Sequence, residues 1–161
     1  MSDVTTLASL AVPVGIGATL AMDGMVSLRT RIWGVATLDY RLVGRWLGHL
    51  AKGRFSHAAI ASSARVRGEA VLGWAAHYLI GVAFAAGLIV IAGQQPSLLA
   101  CLLTGLLTSA APFLIVQPGM GRGVASSKAP QPSRARLNTL ITHLSFGIGL
   151  YLALRIWTAV P

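Results

Sequence analysis

Asp23, His77 and His143 are ionisable residues set inside apolar stretches of the chain. A carboxylate and two imidazoles can share protons: desolvation disfavours the charged form of each, pairing favours both charges, and small changes in solvation move a proton between them. That chemistry suits proton-linked movement of a small solute or ion. The same residues are also a two-imidazole, one-carboxylate donor set of the kind that holds zinc or ferrous iron with open positions, which makes a divalent metal the alternative cofactor. No H-x-x-x-H or E-x-x-H pair fixes two donors on one helix, so residue type alone supports the metal. Interhelical hydrogen bonds that only hold a bundle together are the third use, worth about 0.6 to 2 kcal/mol each.

Spacing from the flanking charges places the three at similar depth. Asp23 precedes Arg29, His77 follows Glu69 and His143 follows Arg136 by six to eight residues, which at helical rise is roughly 9 to 12 Å, so one polar layer is expected. Gln117 joins it from a fourth segment, because Pro118 and Gly119 disfavour continuing the helix beyond it. An unpaired carboxylate in hydrocarbon costs about 2.5 to 3.5 kcal/mol on insertion scales, so Asp23 is expected to face protein or trapped water, with a histidine as partner.

Four segments must position these groups. The chain has 161 residues, 55% hydrophobic and 11% charged, with a mean hydropathy of +0.70; this is too little polar surface for a soluble globule of its size. Stretches at about 6–28, 70–92, 97–117 and 137–160 are long and apolar enough to cross a bilayer, which takes roughly 20 helical residues. They leave loops at 29–69 and 118–136 within one membrane domain spanning 1–161. The predicted class is an all-α membrane protein, a bundle of four transmembrane helices.

The net charge of +9 belongs to those loops. Arg29, Arg31, Arg41, Arg45, Lys52, Arg54, Arg65 and Arg67 fill the first, and Arg122, Lys128, Arg134 and Arg136 the second. This distribution argues against a nucleic-acid partner and, by the positive-inside rule, sets both loops in the cytoplasm and both termini outside, with a tight turn from Gly93 to Pro96. Arginines follow the first apolar run rather than precede it, so that run is expected to be a retained span and not a leader. Cys101 is the single cysteine, which excludes a disulfide or thiolate cluster within one chain.

The first loop contains an amphipathic segment from Tyr40 to Phe55. Val43, Trp46, Leu47 and Leu50 recur at helical spacing, Arg41, Arg45 and Lys52 fall opposite, and Asp39 is placed to cap the start. It is expected to lie in the headgroup region, with Arg41, Arg45 and Lys52 on anionic lipid phosphate and Trp46 as an interfacial anchor. His49 sits on its flank as a candidate loop gate, and His57 carries no specific expectation. A second short helix fits between Ser56 and Arg67. In the second loop Pro118, Gly119, Gly121, Gly123, Pro130 and Pro132 exclude any long element, and Gly119 to Gly123 lacks the strand and lysine of a phosphate cradle.

Within the spans, Gly17, Ala21 and Gly24, then Gly81 and Ala85, then Thr139, His143 and Gly147 form small or polar stripes that permit close helix packing. Pro112 is expected to kink the third span, with Thr108 and Ser109 satisfying the freed carbonyl. Met22, Met25 and Met120 are read as packing rather than soft-metal ligands. No nucleophile elbow accompanies Ser145, and no C-x-x-C-H motif supports haem.

Gly44-Arg45-Trp46, Gly48-His49, Gly53-Arg54-Phe55, Arg67-Gly68-Glu69, Gly73-Trp74, His77-Tyr78, Gln117-Pro118-Gly119-Met120-Gly121 and His143 together resemble a group of small bacterial membrane proteins catalogued as domain of unknown function twenty-nine thirty-eight. The resemblance covers nearly the whole chain and implies a bacterial inner-membrane location. It carries no reaction, substrate or catalytic residue to these positions. The expected activity is a proton-linked carrier or conduit using Asp23, His77 and His143, with Gln117 shaping its cytoplasmic mouth and a homo-oligomer or larger membrane partner supplying further walls. A metal-dependent membrane enzyme using the same residues, or an accessory or assembly protein without chemistry of its own, are the alternatives.

Overall fold

The computed structural model describes residues 2–35 and 37–159. Among them every regular element is helical: α1 (Ser2–Trp33), α2 (Tyr40–Leu50), α3 (Glu69–Ala92), α4 (Leu98–Thr108), α5 (Gln117–Gly119) and α6 (Pro132–Ala159). Four helical stretches, Val4–Trp33, Glu69–Ala92, Leu98–Gly119 and Pro132–Ala159, are long and apolar enough to cross a membrane. The outward residues agree with an apolar solvent, since Ile91 is 87% and Leu107 73% exposed, the reverse of a soluble surface.

Two spans are longer than their apolar runs. α1 continues through Arg29 and Arg31 to Trp33, because basic residues suit a helix C-terminus; Gly34 at φ +62° ends it, its N–H bonding the Thr30 carbonyl. α6 begins at Pro132, five residues before the apolar run. Proline is tolerated in the first turn, where its missing N–H has no acceptor to lose. Val160, the expected end of this span, lies outside the described residues.

The third span changes its backbone hydrogen bonding at its proline. From Pro112 to Val116 the chain widens into a π turn, closed by the Gln117 N–H on the Pro112 carbonyl, before α5 resumes. The Thr108 hydroxyl bonds the Gly105 carbonyl at 2.7 Å rather than its own freed carbonyl.

The chain divides into two compact units, Met1–Val35, Tyr78–Thr108 and Ile141–Pro161 forming the first, and Ala36–His77 and Ser109–Leu140 the second. The first has an apolar core. Leu10, Val14, Ala18 and Met22 line one face of α1 at intervals of four and meet Ala85, Leu88 and Ile89 of α3, Cys101 of α4, and Phe146, Leu150 and Leu154 of α6. Backbones touch where side chains vanish: a Cβ on Gly15 would strike the backbone of Val82, one on Gly105 the backbone of His143 and Gly147, and one on Gly149 the backbone of Ala18. The small-residue expectation therefore holds for Gly81, Ala85 and Gly147 but not for Gly24, where an added Cβ would meet no other part of the described residues within 4 Å.

In the second unit α2 crosses the start of α3. Gly44 and Gly73 make the crossing, a Cβ on the first colliding with the Glu69 carbonyl and on the second with the Tyr40 carbonyl. Val43 and Trp46 of α2 pack with Ile60 and Met120 in a separate small core. The predicted short helix in this loop is one 3-10 turn, Ile60–Ser62, and in the loop after α5 a similar turn spans Val124–Ser126.

Candidate functional site

Each expected layer residue has a partner of its own. In the first unit the Tyr78 hydroxyl donates to Asp23 Oδ2 at 3.1 Å, joining α1 to α3. Thr108 Oγ1 lies 2.9 Å from His143 Nδ1, joining α4 to α6. The single Thr108 proton is directed at Gly105, so the imidazole donates from Nδ1–H, and Nε2 is the basic nitrogen of that ring.

Within this unit the two bonds join different pairs of helices.

His77 and Gln117 belong to the second unit. The His77 ring stacks on Tyr40 at 4.2 Å between centroids and stands edge-on to Trp74 at 5.8 Å, while Tyr40 and Trp74 are 4.5 Å apart. An imidazole held on aromatic faces ties α2 to α3. Gln117 Nε2 is 3.4 Å from Thr139 Oγ1, and its Oε1 is buried with no hydrogen-bond partner among the described residues. A buried amide oxygen in that state can accept a further donor. Among the described residues no three His, Cys, Asp or Glu side chains are grouped to hold a metal ion.

The amphipathic helix keeps its predicted cap and loses part of its predicted orientation. Asp39 accepts the Arg41 N–H at 3.0 Å and pairs with the exposed Arg41 guanidinium at 2.8 Å; that guanidinium's hydrogen bonds hold the carboxyl below its ordinary value. Arg41 and Lys52 are exposed. Arg45 and Trp46 do not: both are 6% exposed. Arg45 forms a two-pronged ion pair with Glu69, at 2.8 and 2.9 Å, and its other terminal nitrogen donates to the carbonyls of Ile60, Ala61 and Ser63. A planar fork of donors satisfies three stray carbonyls and a carboxylate at once, which headgroup phosphate would have to match. The carboxylate holds the guanidinium protonated more firmly than usual. Trp46 Nε1 donates to the Phe55 carbonyl at 3.0 Å, and the Trp46 ring covers Gly119 so closely that no side chain fits there.

Sequence reasoning passed over one feature of this unit. His49 and His57 are both buried, with His49 Nδ1 2.7 Å from His57 Nε2 and His57 Nδ1 3.2 Å from the Gly119 carbonyl. Two backbone bonds flank the pair, from the His57 N–H to the Gly119 carbonyl and from the Ile60 N–H to the Met120 carbonyl, at 3.0 and 3.2 Å. Gly121, at φ +89°, presses on the carbonyls of His57 and Ala58 where a Cβ would collide. Gly119 and Gly121 of the second loop thus serve close backbone and ring approach.

A family model described as Protein of unknown function (DUF2938) matches residues 12–157, and the chain belongs to that family. No curated protein and no solved structure matches the chain. Most residues that carry the resemblance, from Gly44 to His77 and from Gln117 to Gly121, fall in the second unit, and Tyr78 and His143 in the first.

Proposed function

We propose that this member of a family of unknown function is a proton-linked carrier or conduit in a bacterial inner membrane, its basic loops in the cytoplasm and its termini outside. One observation carries the reading: a carboxylate and an imidazole stand within membrane-length helices, each at hydrogen-bond distance from a hydroxyl, Asp23 from Tyr78 and His143 from Thr108. Ionisable groups at such depth are costly and in other membrane proteins mark ion and proton paths. A hydroxyl both donates and accepts, so each pair can pass a proton without moving a heavy atom far.

His77 and Gln117 enter the proposal as ligand- or proton-binding groups of the second unit, Gln117 through an amide oxygen that can accept a further donor. Anionic headgroups around Arg41 and Lys52, and a second copy or a larger membrane partner completing the walls, belong to the same reading. Reconstitution into liposomes with a trapped pH dye tests it. The wild-type chain is expected to pass protons down an imposed potential, alone or when a co-solute is supplied. Flux unchanged by Asp23→Asn and by His77→Ala would sink the proposal.

A further inference from the structure

We propose that His49 and His57 form a proton-counting latch that holds the segment 57–60 against Gly119 and Met120 and releases it on acidification. The hydrogen-bond pattern gives the pair a direction. The Gly119 carbonyl can only accept, so His57 Nδ1 carries a proton; His57 Nε2 is then the acceptor, and His49 donates from Nδ1–H across 2.7 Å. A first added proton goes to His49 Nε2. It leaves every bond in place and makes the contact between the rings charge-assisted.

A second added proton has no such place. It must enter between the rings, on His57 Nε2, where it would face His49 Nδ1–H, and two imidazolium rings with centroids 4.9 Å apart would then share a buried space. The rings must part. His57 supplies both a ring and a backbone donor to Gly119, so its displacement also frees the Gly119 carbonyl and strains the Ile60 to Met120 bond. Charged groups on the surrounding elements do not relieve the repulsion. Arg45 of α2 is engaged by Glu69 of α3, and Lys52 and Arg54 after α2, and Arg122 after Gly121, are exposed and positive.

Hydrogen exchange at the His57 and Ile60 amides, measured on the full chain in lipid nanodiscs and corrected for intrinsic exchange, tests the latch. Between about pH 7.5 and pH 5, where imidazoles titrate, protection at both amides is expected to fall, approaching about tenfold per pH unit as the open form takes its extra proton. Amides in the middle of α2 should not follow. His49→Gln is expected to flatten the profile, because its amide can turn to donate to His57 Nε2 or accept from it. A flat wild-type profile, or an undiminished fall in His49→Gln, overturns the latch; should that variant not fold, the wild-type profile decides alone. Neither readout depends on proton flux.

Discussion

The two units are held together by opposite means. In the first, helices approach where side chains are missing, at Gly15 against Val82, Gly105 against His143 and Gly149 against Ala18, and its apolar residues face outward as readily as inward. Helices in lipid gain little by hiding leucine from a solvent that resembles it, so close van der Waals packing decides their arrangement. In the second, irregular backbone must be satisfied away from water, and Arg45, Trp46 and His57 do so by donating to carbonyls of loop residues. The contrast teaches that one chain can pack some helices by close backbone approach and hold others, with their loops, by polar side chains.

Glycine replacements should produce the largest effects and test the contrast first. Gly105→Ala in the first unit and Gly44→Ala in the second each force a Cβ into backbone that cannot yield, and each is expected to cost about 3 kcal/mol in thermal unfolding in detergent. Hydrogen exchange should show each loss centred in its own unit. Gly24→Ala, with open space around it, is expected to be neutral or to stabilise by up to about 1 kcal/mol through helix propensity. Equal losses at Gly24 and Gly105 would mean that close approach does not hold the first unit.

Next in size is the ion pair. Arg45→Met should lower the melting temperature clearly by removing the guanidinium donors from Glu69 and three carbonyls, whereas Arg45→Met with Glu69→Met should recover part of the loss. No recovery would mean that the carbonyl bonds, and not the ion pair, dominate the arginine's contribution. The helix cap is smallest. Asp39→Ala is expected to cost about 1 kcal/mol or less. Because the Arg41 hydrogen bonds depress the Asp39 carboxyl, the cap contributes fully above the ordinary carboxylate value and fades as pH falls through the lowered folded-state value. The difference between wild type and Asp39→Ala should therefore begin to shrink as pH falls below the ordinary carboxylate value and vanish below the lowered one, which melting curves across pH will show.

The spans were legible because they rest on length and apolarity, and so was the amphipathic helix, whose Val43, Trp46, Leu47 and Leu50 recur at helical spacing. Its partner was not legible. A face that reads as lipid-directed reads identically as protein-directed, and only the fold brings Glu69, 24 residues away in sequence, to Arg45. The flanking charges were a weaker guide to helix ends, since α1 runs through Arg29 and α6 starts before Arg136. His49 and His57 are separated by a turn with no periodicity, and no sequence pattern announces that their rings meet.

The central claim is that the polar residues of the first unit conduct and do not merely fasten helices. The most direct test is to measure proton flux and thermal stability together in Tyr78→Phe, which keeps Asp23 and removes only the hydroxyl proton it accepts. Losing one such bond should cost about 1 kcal/mol or less, whereas flux is expected to fall by about tenfold or more, within the range that loss of a positioned proton-transfer group produces. A variant that melts lower while conducting as the wild type does would contradict the claim and leave Asp23 and Tyr78 as a fastening between α1 and α3.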